Sequence, residues 1–287
     1  MPIPAIIVHG GAWDLPDHLL EPSIKGVEKA AKEGYRILKE GGSAVDAVER
    51  AVIVMEDDPT FDAGVGSVLN EEGYVEMDAI IVDGSALKFG SVAAVRRVKN
   101  PVSLARAIME RTENHMFVAE GAEKLALELG LKLVDPKELI VERELRAWKK
   151  RRSGTVGAVA VDLKGRVAAA TSTGGTPMKK PGRVGDTPLI GCGAYANEIG
   201  GASATGEGEP IMRIMLSRLA LDILSMGSSP TDAASRALSF MMAKTGGLGG
   251  LIVLDVDGRI GYAHTARRMP IAYDIDGDVV AKVSLLD

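Results

Sequence analysis

The sequence predicts a layered α+β fold, and three patterns carry that reading. Short runs of apolar and β-branched residues alternate with longer segments of helical periodicity. Strand-like runs in the second half are separated by brief Asp- and Gly-containing turns such as Asp162-Leu163-Lys164-Gly165 and Asp255-Val256-Asp257-Gly258, which is hairpin chemistry. The 287 residues include 34 glycines, well above the usual share of roughly 7 per cent, while apolar residues stay plentiful. Glycine here serves turns and close backbone approach rather than disorder. Strands flanked by helices bury their shared apolar surface in layers.

In chain order, residues 5–9 form a short apolar strand running into Gly10-Gly11. Residues 22–38 have helical spacing, with Ile24, Val27, Ala31, Tyr35 and Leu38 on one side and Gly41-Gly42 as the stop. Ser43 is placed to cap a second helix through Met55, with Val45, Val48, Val52 and Met55 as its stripe. Residues 57–66 are a loop dense in acids and glycines. Strands are expected over residues 74–82 and 89–98, then helices over 101–109 and 117–129. From 131 to 153 the composition shifts to Lys, Arg and Glu and ends in the basic run Lys149-Lys150-Arg151-Arg152. Acids are mixed through this segment and no aromatic ladder accompanies it, so it reads as a solvated helix or linker, not a nucleic-acid patch.

A hairpin follows, from Gly154 to a turn at residues 162–165 and back through Val167 to Thr173. Alternation puts Thr171 and Thr173 on one face and Ser172 on the other. Loop residues 174–185 lead on to Ser203-Ala204-Thr205-Gly206-Glu207-Gly208-Glu209-Pro210 and a helix with the stripe Met212, Met215, Leu216, Leu219 and Ile223, the methionines filling core. A further helix is expected over 231–243, and strands over 251–256, 260–264 and 279–285. The Asp-rich turns at 255–258 and 274–278 look like the start of calcium loops, but each lacks a twelfth-position glutamate and lies between strands. They are hairpin turns.

Composition narrows the function classes. A formal net charge of -5 gives no general attraction to nucleic acid or anionic membrane, and a small polar substrate suits the chain better. No stretch approaches the roughly 18 apolar residues that span a bilayer, and no basic region with a long apolar core opens the sequence, so a cytoplasmic location is expected. Cys192 is the single cysteine, which rules out an internal disulfide and a cysteine-rich zinc site. There is no glutamine and there are only four asparagines beside many charged residues, a pattern that predicts a heat-stable protein.

The chemistry concentrates where the charged segment turns into strand, at Gly154-Thr155. A cut before Thr155 would leave a hydroxyl nucleophile and a free α-amine on one residue, nucleophile and base together. The plain alternative is that Thr155 begins a strand and Gly154 makes the bend. Arg183 and Asp186 either pair on the surface or, in a pocket, receive the carboxylate and ammonium of an amino acid. Amides at Gly206 and Gly208 would face anions at a helix start, where Glu207, Glu209 and Pro210 also fit.

With these pieces in place the chain resembles the plant-type (type 2) asparaginase and isoaspartyl peptidase family of N-terminal-nucleophile hydrolases. The match runs in order through His9-Gly10-Gly11-Ala12, Phe61-Asp62-Ala63-Gly64, Gly154-Thr155-Val156-Gly157-Ala158-Val159, Thr171-Ser172-Thr173-Gly174-Gly175, Pro181-Gly182-Arg183-Val184-Gly185-Asp186 and Thr205-Gly206-Glu207-Gly208-Glu209. The resemblance implies a four-layer αββα sandwich of two mainly antiparallel sheets between helical layers. It also implies a single domain that cuts itself between Gly154 and Thr155 into subunits 1–154 and 155–287, two such pairs forming a dimer. Thr155 is then the nucleophile, Thr173 its orienting neighbour, and the Thr205 hydroxyl and Gly206 amide the oxyanion donors. Arg183 takes the substrate α-carboxylate, and Asp186 with Gly208 takes the α-ammonium. The implied substrates are L-asparagine and β-aspartyl dipeptides, with no cofactor. The loop at residues 55–65 is similar to one that holds a sodium ion through main-chain carbonyls in some relatives.

Two residues depart from the family pattern. Asp62 stands where relatives commonly carry asparagine, and Glu207 where they often carry a small or neutral residue. Two other readings stay open: a glycosylasparaginase, which shares the N-terminal threonine but acts on sugar-linked asparagine, and a noncatalytic binder of small anions using Gly206 and Gly208. A nucleotide-binding enzyme is a poorer reading still, since neither a phosphate loop ending Gly-Lys-Ser/Thr nor a strand, Gly-x-Gly-x-x-Gly and helix unit is present.

Overall fold

The computed structural model describes residues 3–147 and 154–286. The basic run at 149–152 lies outside the described residues. Twelve strands and eight α-helices are seen among those described, in two sheets. The larger sheet takes β1 (Ala5–His9), β2 (Met77–Asp83), β3 (Lys88–Val95), β4 (Met116–Val118), β5 (Val156–Val161), β6 (Val167–Thr173), β11 (Arg268–Ile275) and β12 (Asp278–Leu285), in the order β12-β11-β1-β5-β6-β2-β3-β4. The smaller takes β7 (Ala194–Asn197), β8 (Gly200–Gly206), β9 (Gly249–Asp255) and β10 (Ile260–His264), in the order β10-β9-β8-β7. Among the described pairings all are antiparallel except β3 with β4.

Strand alternation sorts side chains between two cores. On β5 and β6, Val156, Ala158, Ala160, Ala168 and Ala170 pack against α1 (Leu20–Lys39) and α2 (Ala44–Glu56). Val159, Val161, Val167 and Ala169 pack the other way, against Ile252 and Leu254 of the smaller sheet. On β8, Ala202 and Ala204 join the core of α7 (Leu216–Ser225) and α8 (Pro230–Thr245). Ser203 and Thr205 therefore face the larger sheet, toward Thr171, Thr173 and Thr155. Of the remaining helices, α3 (Pro101–Arg111) packs on β2 and β3, α4 (Ala119–Glu128) on β3 and β4, and α6 (Gly208–Ile214) against α7 and α8, while α5 spans Glu142–Ala147.

Local chemistry explains the well-anticipated elements. Ser43 caps α2 through a reciprocal capping box, with Asp46 N–H donating to Ser43 Oγ at 3.1 Å and Ser43 N–H to Asp46 Oδ2 at 3.0 Å. All four predicted stripe residues of α2 are buried, as is Cys192. The single helix expected beyond Pro210 is instead two. Met215 takes left-handed backbone, φ 51°, and is 54% exposed rather than core filler. Docking decides this: the Arg218 N–H donates to Gly191 O at 2.9 Å and the Ser217 hydroxyl to Cys192 O at 2.8 Å, so the first turn of α7 is set by the 191–193 loop rather than by α6.

Arg106 gathers Asp46, Glu49 and Glu110 within 2.6, 2.6 and 2.8 Å, partly buried. Such networks gain value with temperature. Together with the scarcity of amides this predicts a melting midpoint above the roughly 45–65 °C usual for mesophile domains, checked by scanning calorimetry. A midpoint near 50 °C would remove the prediction.

Candidate active site

Thr155 lies one residue before β5, and the pairing of β5 with β6 sets its neighbour. Val156 opposes Ser172, so Thr155 falls across from Thr173 at the strand end. The Thr155 hydroxyl donates to Thr173 Oγ1 at 3.2 Å. Thr173 in turn donates to the Gly154 carbonyl at 3.1 Å and accepts the Gly175 N–H at 2.9 Å. All four residues are buried. The turn after β1 runs against them: a Cβ on Gly11, whose φ is 101°, would lie 3.0 Å from Gly154 Cα and 3.2 Å from Thr155 N. Only glycine permits that approach.

The next residue reaches the second sheet, with Ala12 N–H donating to Thr205 Oγ1 at 3.2 Å. Gly206 follows with φ 134°, and a Cβ on it would stand 2.4 Å from Gly249 Cα. Beneath the pair lies a polar cluster that the sequence did not suggest as a unit. Ser203 Oγ meets His9 Nε2 at 3.0 Å and Thr171 Oγ1 at 2.8 Å. Burial lowers the His9 pKa to about 3, so the ring is neutral and serves as packing with a hydrogen-bonding edge.

Asp62 holds the residue before Thr155. Its Oδ2 accepts the Gly154 N–H at 3.2 Å and its Oδ1 the Val68 N–H at 2.9 Å, while its own carbonyl accepts the Gly174 N–H at 3.0 Å. Both carboxyl oxygens thus act as acceptors, whereas an asparagine has one acceptor oxygen and would surrender one of these contacts. Burial pushes the Asp62 carboxyl up to about 8, with the nearby Glu144 carboxylate adding to the rise and Lys179 opposing it. A cavity of about 20 Å³ beside Asp62, Glu144 and Gly154 has room for one water.

Arg183, Asp186 and Gly208 converge. A Cβ on Gly208 would fall 2.9 Å from Arg183 Nη2 and 3.1 Å from Asp186 Oδ1. Asp186 is buried, its Oδ2 has no hydrogen-bond partner among the described residues, and burial pushes its carboxyl up to about 7. Arg183 places its fork on Glu209, Nε to Oε1 at 3.0 Å and Nη2 to Oε2 at 2.8 Å, a carboxylate held as a ligand's would be. Lys179 went unnoticed in the sequence because nothing around it signals burial; its ammonium donates to Glu76 O at 2.7 Å, near Asp62 and Asp78, and burial lowers its pKa.

The predicted residues thus form three groups. Gly154, Thr155 and Thr173 are hydrogen-bonded to one another; Thr205 and Gly206 are tied to them through Gly11 and Ala12; Arg183, Asp186 and Gly208 meet two residues beyond Gly206. Among the described residues no hydrogen bond joins the third group to Thr155. A groove of about 830 Å³ opens beside Gly206, lined by Ala12, Trp13, Glu207 and Glu209 among others.

The chain is similar in sequence to known proteins. The sequence model of the family described as Asparaginase matches residues 2–154 and 149–283. The isoaspartyl peptidase/L-asparaginase of Danio rerio is 49% identical over 270 residues, covering 89% of this chain and 87% of the relative. The Homo sapiens protein of the same name is 45% identical, covering 96% and 94%, and the plant-type L-asparaginase of Pyrococcus horikoshii is 42% identical, covering 95% and 97%. With a family match across nearly its whole length and relatives at these identities, the chain belongs to the Asparaginase family.

Proposed function

We propose that the chain cuts itself between Gly154 and Thr155 and then hydrolyses the side-chain amide of L-asparagine and the isopeptide bond of β-aspartyl dipeptides. The observation that carries this is the buried contact in which Thr173 touches both the Thr155 hydroxyl and the Gly154 carbonyl. Nucleophile and target carbonyl belong to adjacent residues, and one hydroxyl orients both. The names of the relatives support the substrate assignment.

Self-cleavage begins as Thr155 Oγ bonds to the Gly154 carbonyl carbon. The C–N bond breaks, the hydroxyl proton passes to the nitrogen, and water hydrolyses the resulting ester to give subunits 1–154 and 155–287. The freed α-amine, with an unperturbed pKa of roughly 7.7–8.0, then serves as base for the hydroxyl of its own residue. A substrate carboxylate replaces Glu209 on Arg183, and Asp186 with Gly208 takes the α-ammonium. The side-chain carbonyl faces Thr155, its developing negative charge met by the Thr205 hydroxyl and Gly206 N–H. The C–N bond breaks, the departing ammonia or amine takes the proton, and water releases L-aspartate from the Thr155 ester. Glutamine, one methylene longer, misplaces its carbonyl.

This reading includes the four-layer αββα arrangement, a dimer of cleaved pairs and a cytoplasmic site of action. No cofactor enters the reaction. A sodium ion, if bound by the main-chain carbonyls of the loop at residues 55–65, would be structural and would take no part in the chemistry.

Intact mass with N-terminal sequencing tests the whole reading. Two pieces are expected, the second starting at Thr155, together with release of aspartate from L-asparagine and β-aspartyl dipeptides. A chain that stays whole and hydrolyses neither substrate favours the anion-binding alternative. Preference for sugar-linked asparagine favours the glycosylasparaginase.

A further inference from the structure

The groove beside Gly206 is large for a leaving group that is only ammonia. Its volume of about 830 Å³ lies in the range that accommodates ligands well beyond one amino acid. Four charged side chains line it: Asp14, Glu207, Glu209 and Arg267. Asp14 and Arg267 neutralise each other at 3.2 Å, both mostly exposed. Glu209 is neutralised by Arg183. Glu207 has no cation partner among the described residues; its Oε2 accepts only the Leu248 N–H at 3.1 Å.

Binding changes this balance. In the proposed reaction, on which this inference rests, the substrate α-carboxylate takes the Arg183 fork and displaces Glu209. Two carboxylates two residues apart, Glu207 and Glu209, then border the groove without a compensating cation. We infer that Glu207, joined by the displaced Glu209, makes the groove select β-aspartyl dipeptides whose second residue is cationic, β-aspartyl-lysine and β-aspartyl-arginine, over neutral and acidic ones. Arg267 is free to leave its exposed partner Asp14 and receive the dipeptide's own terminal carboxylate. The bond broken is the same in every case. The departing amino acids differ in charge and in shape, and the part of the preference that salt and Glu207→Gln remove is the part set by the charge of the groove.

Exposed ion pairs contribute little, so each change of leaving-group charge is expected to alter kcat/KM by about two- to fivefold. The experiment compares β-aspartyl-lysine, β-aspartyl-leucine and β-aspartyl-glutamate as separate substrates of the mature enzyme at low and high salt. Lysine should exceed leucine and leucine should exceed glutamate. The spread should shrink as salt screens the groove and narrow further in Glu207→Gln. Ratios within one enzyme sample are independent of how much of a variant folds. A spread of one in the wild type, or one that Glu207→Gln leaves intact, overturns the inference while the hydrolase reading stands. Hydrolysis of none of the three dipeptides while L-asparagine is still cleaved overturns this inference alone, and hydrolysis of neither the dipeptides nor asparagine overturns the hydrolase reading with it.

Discussion

Thr155→Ala is expected to leave one intact chain and to abolish hydrolysis of both asparagine and β-aspartyl dipeptides. The two losses have one cause, because the same hydroxyl attacks the Gly154 carbonyl during maturation and the substrate carbonyl afterwards. Removal of a hydroxyl nucleophile typically costs on the order of a million-fold in kcat, which puts the residual rate at or below detection. Thr155→Ser keeps the hydroxyl and the future α-amine but loses the methyl that restricts χ1, so it should cut slowly and retain measurable activity. Thr173→Ala keeps the nucleophile and removes the hydroxyl that bridges it to the Gly154 carbonyl. Its self-cleavage, followed by mass against time, should be delayed relative to wild type. Wild-type cleavage and turnover in Thr155→Ala would end the assignment of the nucleophile.

How much of this was legible in the sequence depended on whether local chemistry or tertiary packing made the decision. The α2 cap, the hairpin of β5 and β6, and the facing of Thr171 and Thr173 followed from residue type and alternation, and the structure has them. Strand β8 was hidden for a physical reason. Its small residues, Gly200 to Gly206, look like loop, yet they are small because the sheets approach closely: a Cβ on Gly201 would come within 2.7 Å of Val159 Cγ1. Pro270 disguised β11, since proline argues against an inner strand, and here it lies between β12 and β1. At the site, Thr155 could be named from a dipeptide and its context. The burial of Asp186 could not, because it depends on the later return of the chain through Gly208, and neither could the filling of Arg183 by Glu209 from another element.

That buried Asp186 carries the second large expectation. Its carboxyl, pushed up to about 7, is mostly protonated below that pH and then offers a substrate ammonium no opposite charge. The Thr155 α-amine must also be unprotonated to act as base, with an ordinary pKa of roughly 7.7–8.0. Two groups losing protons as pH rises make log kcat/KM for asparagine climb with a slope approaching two below both values. Asp186→Asn removes one of them, so its slope falls toward one, and at pH 8 its kcat/KM drops by about a hundredfold, the usual scale for losing one partner of a buried charge pair. The loss should sit mainly in KM, since a bound ammonium holds wild-type Asp186 ionised. Stability should move the other way. A folded-state pKa raised above the ordinary carboxylate value means that ionisation weakens the fold progressively as pH rises from about 4 through 7, and the asparagine variant lacks that decline. Above pH 7 it should melt at or above the wild-type temperature. A variant that binds asparagine with wild-type KM and keeps the steeper slope would show that the ammonium is held elsewhere.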